Sequence, residues 1–304
     1  MGILVVGSIG LDNVQTPHGA VRGVLGGSAS YFSVTARHFS PVNLVAVVGE
    51  DFPGEYMDLF RERGVGIEGL EVVPGKTFHW SGRYGDDPDQ AFSLATELGV
   101  FENFHPRLPE SYRSAEYVFL ANIDPVLQLE VLRQTRGARV LDTMNYWIEG
   151  KRPELLATLR EVNVVIMNNQ EARALTGEKH ILRACEIIAG YGPQVVVIKQ
   201  GEHGSLLRTP DDLFLMPGYP VERVVDPTGA GDTFAGGFVG WLSRCGQADR
   251  DAYRQAMIMG TVMASFTIED FSLRALLRAN PDLMRERIRR LRQITDLPAM
   301  DGLI

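Results

Sequence analysis

Cysteine is almost absent: Cys185 and Cys245 are the two in 304 residues. Two separated thiols build neither a thiolate zinc site nor a disulfide framework, and they suit a reducing compartment. Positive charge is not in excess either. Lys plus Arg number 30 against 38 Asp plus Glu, a formal net charge of −8. That balance excludes the basic face expected of a duplex-nucleic-acid binder. Any anionic ligand must therefore be held by local dipoles and a few placed cations. No apolar run approaches the roughly 20 residues that span a bilayer. The opening Met1-Gly-Ile-Leu-Val-Val-Gly7 has no basic stretch and meets Asp12 early, unlike a secretory signal. Val6 stands where a myristoylation motif needs Ser or Thr. Internal repeats and low-complexity tracts are missing. A cytoplasmic protein with no nucleic-acid and no membrane partner is expected.

What is present is ordinary globular composition, 45 % hydrophobic and 22 % charged, which excludes disordered, collagen-like and coiled-coil chains. Short β-rich apolar runs alternate with helical stretches. Ile3–Gly7, Asn43–Val48, Tyr117–Leu120, Arg139–Asp142, Val162–Met167 and Gln194–Lys199 read as strands buried on both faces. Ser28–Phe39, Gly54–Glu62, Val126–Gln134, Glu154–Leu159 and Ile181–Ala189 read as helices between them. The alternation predicts an α/β fold with a mostly parallel sheet covered by helices on both faces. In such sheets ligands bind beyond the carboxyl ends of the strands. One segment breaks the pattern. Lys76–Thr96 reads as a β-hairpin with its turn at Gly85–Gln90. Thr77, His79, Ser81 and Arg83 fall on one face, and Phe78, Trp80, Gly82 and Tyr84 on the other. Two such different faces need two different neighbours, so the hairpin reads as a lid or an oligomer contact, with an edge hairpin packed on its own domain as the plainer alternative. The last third reads as helices over Asp232–Arg244, Ala252–Phe266, Leu273–Leu277 and Leu283–Arg292, the last with a solvated basic face.

Four segments carry chemistry. Asp226-Pro-Thr-Gly-Ala-Gly-Asp232 puts small residues at the start of a helix. The backbone N–H groups of Gly229, Ala230 and Gly231 would form an anion site there, which bulky side chains would block. Asp232 follows in the first turn. A carboxylate beside bound phosphate is a poor phosphate ligand but a good base for an attacking hydroxyl; locally, an N-cap accounts for it equally well. No Gly-Lys-Ser/Thr of a Walker loop is present. Gly26-Gly27 precedes the helix at Ser28 and lets a ligand approach the backbone. Asn168-Asn-Gln-Glu171 follows a strand. It reads as a capping box or, through Glu171, as a carboxylate near hydrated Mg²⁺. Lys199-Gln-Gly201-Glu-His-Gly204 ends another buried strand, with His203 as a plain loop residue.

In this order the four segments resemble the PfkB carbohydrate kinase family, with its ribokinase-like three-layer α/β/α sandwich and small β lid. The resemblance covers residues 3 to about 270. It implies one ribokinase-like domain over 1–304 with the lid inserted around 76–96, and ATP-dependent phosphorylation of a hydroxyl on a small sugar or nucleoside. It implies Asp232 as general base and the amides of Gly229, Ala230 and Gly231 as anion hole. Asn168, Glu171, Lys199, Gly201, Gly204 and Thr228 fall on the nucleotide side. Glu171 would organise Mg²⁺ through water, and Asp226 with Thr228 sits where many relatives bind a monovalent cation such as K⁺. Asp12, Gly26 and Gly27 would meet the acceptor with Asp232. Three departures stand out. Ser30-Tyr31 replaces a substrate-touching Asn, Met263–Ser272 lacks a Gly-rich loop, and Leu141–Trp147 adds Tyr146 and Trp147 to an Asp and an Asn. The lid's polar face would meet hydroxyls and its aromatic face a second copy in a homodimer; the reverse assignment, aromatics stacking on a base or sugar ring, is also open. Rival readings are a non-catalytic nucleotide or sugar binder, a kinase using ADP or pyrophosphate on a cyclitol such as inositol, and a dehydrogenase. The last is weak, because Gly7-Ser-Ile-Gly10 lacks the rest of the dinucleotide fingerprint.

Overall fold

The computed structural model describes residues 2–296. The chain runs β1 (Ile3–Val6), β2 (Gly10–Thr16), β3 (Gly19–Gly26), α1 (Ser28–Ala36), β4 (Val42–Gly49), α2 (Gly54–Glu62) and β5 (Val65–Val73). It continues through β6 (Phe78–Tyr84), β7 (Ala91–Glu97), β8 (Tyr117–Leu120), α3 (Pro125–Gln134), β9 (Ala138–Asp142), α4 (Asn145–Gly150) and α5 (Arg152–Leu159). Then follow β10 (Val164–Asn168), α6 (Asn169–Thr176), α7 (Ile181–Gly190), β11 (Val195–Lys199), β12 (Ser205–Arg208), β13 (Leu213–Met216), α8 (Ala230–Cys245), α9 (Arg250–Thr267) and α10 (Pro281–Thr295).

Nine strands form one sheet in the order β13-β12-β11-β10-β9-β8-β1-β4-β5. From β5 to β11 every pair is parallel, and β12 and β13 close the far edge antiparallel. The central strands β1, β8, β10 and β11 are apolar and buried along their length, except at their carboxyl ends, because both faces are covered. Ile3 and Val5 of β1 join the core under α1, α8 and α9, while Leu4 and Val6 join the core under α3, α5, α6 and α7. This is a three-layer α/β/α sandwich. Phe32 of α1 stacks on Phe119 of β8, ring centroids 4.0 Å apart. From β1 the chain moves outward one way to β4 and β5, then returns to build β8 to β11 on the other side. That reversal leaves a crevice beyond the carboxyl end of β1.

Helix α8 is pinned to its neighbours by glycines. A methyl on Gly236 would lie 2.8 Å from the Phe32 carbonyl, one on Gly240 2.8 Å from the Phe39 ring, and one on Gly237 2.7 Å from the Met259 carbonyl. Backbone-to-backbone approach therefore fixes where the N-terminus of α8 points.

A second, four-stranded sheet has the order β3-β2-β6-β7. The hairpin expected at Lys76–Thr96 is half of it. The other half, β2–β3, is absent from the sequence-based reading because Gly19, Gly23 and Gly26 dilute the strand pattern of β3. Strand β2 runs parallel to β6, which sets Asp12 beside Trp80 on one face. Of the two assignments of the hairpin's faces that the sequence leaves open, the structure has the one with the aromatic face inward. Towards the sheet's tip, the face with Asp12, Val14 and Thr16 is buried and carries Phe78, Trp80 and Tyr84. The face with Ser81 and Arg83 turns outward, where Asn13 donates to Ser81 Oγ at 3.0 Å and Arg83 lies over the Phe92 ring. Leu273–Leu277 is also not an α-helix but leads into a short 3₁₀ turn, Leu276–Arg278. Ser272 just before it adopts φ 55°, which interrupts the helical run.

Candidate active site

Four parallel strands end at one rim. Just past β1 comes the small sheet with Asp12, β9 ends in Asp142, β10 in Asn168 and β11 in Lys199. The N-terminus of α8 faces them. Gly229 caps that helix with φ 76°, a left-handed conformation, and a side chain there would overlap the Tyr31 ring. Tyr31 is buried, so its ring forms the floor under the loop. The amides of Gly231 and Asp232, without a backbone acceptor, open towards the crevice as the helix's positive end, while the Ala230 amide donates to the Pro227 carbonyl at 3.2 Å. A methyl on Gly231 would lie 2.7 Å from Lys199 Nζ. The ammonium thus rests directly on the glycine face of the cradle. An N–H cradle plus a placed lysine fits a phosphate chain.

Three carboxylates share that lysine. Asp142 Oδ2 is 3.8 Å from Lys199 Nζ, while Asp142 Oδ1 accepts from the Thr143 amide at 2.9 Å. Glu171 and Asp232 are the other two. Burial and the Asp142 charge push the Asp232 carboxyl up to about 7, against the pull of Lys199. Burial and the Asp142 charge push Glu171 up to about 8. Three acids against one cation leave this corner short of positive charge. The capping box is formed: Asn168 Oδ1 accepts from the Glu171 amide at 2.8 Å and Glu171 Oε2 from the Asn168 amide at 2.7 Å. It orients Glu171 at the strand end. Among the described residues no three Asp, Glu, His or Cys side chains converge as a metal cage. A divalent ion held by one carboxylate, water and phosphate oxygens fits such a corner.

Asp12 faces the crevice from the other side. Its Oδ1 is buried with no hydrogen-bond partner. Burial, with Asp226 and Asp232 nearby, pushes it up to about 7. Any side chain on Gly26 would overlap this carboxylate, and any on Gly27 (φ 89°) would strike the Ile9 backbone. The di-glycine therefore makes room for Asp12 and for the entry into α1. Asp226 is buried; its Oδ1 accepts from the Thr228 amide at 2.9 Å and its Oδ2 from the Ser272 amide at 3.4 Å. Ser272 Oγ in turn donates to the Leu25 carbonyl at 2.6 Å, which links the cradle loop to the base of the small sheet. Gly204 (φ 93°) is a tight-turn residue, since a methyl there would lie 2.6 Å from the Gly218 amide.

Two residues absent from the expected set belong to this rim. Asp142 carries the same positional signal as Lys199, the last residue of a buried parallel strand. Tyr84 reaches in from β6, where its hydroxyl accepts from Thr228 Oγ1 at 3.2 Å. Burial and the nearby carboxylates push its hydroxyl up to about 12. Strand alternation alone gave no way to tell which hairpin face turns inward. Tyr146 and Trp147 stack edge-on past β9, and Trp147 Nε1 donates to Asn122 Oδ1 at 2.9 Å.

A helix-terminal anion cradle with an acid at its edge, on a three-layer sandwich capped by a small sheet, defines an α/β phosphotransferase of ribokinase-like fold. A family model described as pfkB family carbohydrate kinase matches residues 4–280. A cytidine kinase of Thermococcus kodakarensis is 33% identical over 253 residues, 80% of this chain and 89% of that protein. A nucleoside kinase of Methanothermobacter thermautotrophicus is 26% identical over 277 residues, 85% and 82% of the two chains. The structure of Burkholderia thailandensis nucleoside kinase in complex with inosine superposes with TM-score 0.77 at 20% identity, covering 98% of this chain and 100% of that one. The chain belongs to the PfkB carbohydrate kinase family. It is a carbohydrate/nucleoside kinase that uses ATP with a divalent metal to phosphorylate a hydroxyl of its acceptor.

Proposed function

We propose that the acceptor is a nucleoside, phosphorylated on its hydroxymethyl group, with MgATP as donor. One observation carries this reading: Asp12 and Trp80 are register neighbours on the inward face of the small sheet. A carboxylate suits a pair of sugar hydroxyls, and an aromatic face beside it suits a base. The Trp80 ring lies flat along the strand because Gly82 leaves no side chain in its way. The names of the relatives, cytidine kinase and nucleoside kinase, point the same way.

In this reading Asp12 accepts hydrogen bonds from the acceptor, and the small sheet covers it and excludes water. Asp232 takes the proton of the attacking hydroxyl. The amides of Gly229 and Gly231 receive the charge that develops on the transferred phosphoryl group, joined by that of Ala230 once it leaves the Pro227 carbonyl. Lys199, Gly201 and Gly204 border the donor, with Asn168 and Thr228 beside it. Glu171 would hold Mg²⁺ through its waters, and the ion would supply neutralisation of phosphate charge. Asp226 fastens the loop, each oxygen accepting one backbone N–H group, and the lone pairs left over are the ones that would take a monovalent cation such as K⁺.

ADP release should be measured with Mg²⁺ and ATP across cytidine, uridine, adenosine, inosine, ribose and myo-inositol, with and without K⁺. The best nucleoside is expected to exceed ribose in kcat/KM by about tenfold or more, the scale of one aromatic contact plus the buried area of a base. Stimulation by K⁺ that is lost in Asp226→Asn would place a monovalent cation at Asp226. Preference for free ribose or inositol would overturn the nucleoside reading, and turnover only with ADP or pyrophosphate would overturn the donor.

A homodimer through the small sheet is part of the same proposal. Strand β7 is an edge with all seven residues exposed, including Phe92 at 49% and Leu94 at 61%. An open edge with apolar side chains is a template for pairing with a second copy. Phe92→Glu combined with Leu94→Glu is expected to convert a sedimenting dimer into a monomer. An unchanged sedimentation coefficient would rule this interface out.

A further inference from the structure

The turn joining β6 and β7 lies far along the chain from Lys199–Gly204, yet the two touch. Gly201 adopts φ 57°, and the space that its missing side chain leaves is filled by both carboxylate oxygens of Asp89. Asp89 is the last acid of the turn Asp86-Asp87-Pro88-Asp89. Its amide donates to Asp87 Oδ1 at 2.9 Å, so the backbone is braced and the carboxylate stays free to point at Gly201. Asp87 and Glu202 lie close enough to disfavour its charge, while His203 favours it. The hairpin is held in this place by a second tie. Tyr84, the last residue of β6, receives the hydrogen bond from Thr228 beside the anion cradle. The element that covers the acceptor therefore also rests on both loops that border the donor.

The geometry points to Asp89 as a residue of the donor site: its carboxylate occupies the open face of Gly201 and competes with the donor's phosphates for it. This rests on the reading of Gly201 as a donor-loop residue. A phosphate chain approaching Gly201 meets a negative charge in contact with the glycine, and has to displace the turn. Asp89 thereby weakens donor binding in the acceptor-free enzyme. The effect belongs to charge and position, not to folding, because the side chain makes no hydrogen bond that the turn depends on. Asp86, on the same turn, serves as the comparison, because the atoms nearest to the open face of Gly201 all belong to Asp89.

Calorimetric titration of the acceptor-free protein with the magnesium complex of the non-hydrolysable analogue AMP-PNP tests this. Asp89→Asn is expected to tighten Kd about threefold to fivefold, the scale of one unit charge near 4 Å in a largely aqueous setting. Asp86→Asn is expected to produce less than half of that gain. Raising the salt from 0.05 to 0.5 M should shrink the difference between wild type and Asp89→Asn, because a surface charge is screened. Equal Kd values for wild type and Asp89→Asn would overturn the proposal while leaving Gly201 in the donor site. Weaker binding by Asp89→Asn would overturn it too, since it would make the carboxylate an attractive partner of the metal complex. If neither protein binds AMP-PNP while both remain folded by circular dichroism, the donor-site reading itself fails.

Discussion

Asp232→Asn is expected to lower kcat by about 10²–10⁴, the usual worth of a positioned general base. Nucleotide affinity should hold or improve. A carboxylate at the mouth of the phosphate cradle repels the donor in the ground state, so its loss cannot weaken that binding through charge. Folding should survive as well, because the position of α8 is set by the glycine contacts at Gly236, Gly237 and Gly240 and not by Asp232. Single-turnover rates and calorimetry with AMP-PNP together check this. A variant retaining more than a tenth of wild-type turnover would remove Asp232 as base and leave it as a first-turn acid stabilising the helix.

The pH profile carries the same assignment. Asp232 and Asp12 are both pushed up to about 7 in the free protein. A base acts only when deprotonated, and a carboxylate accepts from two hydroxyls only when ionised. Both requirements fail as pH falls. The acceptor kcat/KM should therefore drop below neutrality, with a limiting slope approaching two on a logarithmic plot. In Asp232→Asn the residual slope should fall towards one. An acid limb near pH 4 would mean that neither carboxylate titrates in the working complex.

Much of this arrangement is legible in the sequence, for one physical reason. Buried parallel strands are continuous apolar runs, and their carboxyl ends are where ligands must bind. The strands ending in Asp142, Asn168 and Lys199, and the small residues opening α8, follow from that rule alone. The small sheet was only half visible. Glycines at 19, 23 and 26 hide β3, although Gly26 is there to make room for Asp12. The inward turn of the aromatic face was out of reach, because period-two alternation separates two faces without saying which one meets the domain. Tyr84 and Asp89 were missed for a related reason. Their partners, Thr228 and Gly201, are more than a hundred residues away, and only the parallel pairing of β2 with β6 brings the hairpin across the crevice.

Asp12→Asn is expected to cut acceptor kcat/KM by about 10²-fold while raising thermal stability, and the opposite signs are what make it informative. The carboxylate is buried, one oxygen has no partner, and Asp226 and Asp232 lie nearby. An unpaired charge in such a place opposes folding, and the protein responds by holding the proton up to about pH 7. Above that pH the charged form is strained until acceptor hydroxyls reach it. Hydrogen bonds to a charged group are worth about 1.5–3 kcal/mol each, against about 0.5–1.5 for neutral ones. For two hydroxyls the difference comes to about 2–3 kcal/mol, or about 10²-fold. Asparagine keeps the shape that Gly26 accommodates and removes the charge, so Tm at pH 8 should rise. The KM for ATP should stay within about twofold, because the donor cradle is built by α8 and Lys199. A fall in both Tm and activity would make Asp12 a structural residue of the small sheet. Unchanged acceptor kcat/KM would detach it from the acceptor altogether. The predicted pair, a more stable protein that no longer holds its acceptor, is the signature of a site that keeps a destabilising charge for binding.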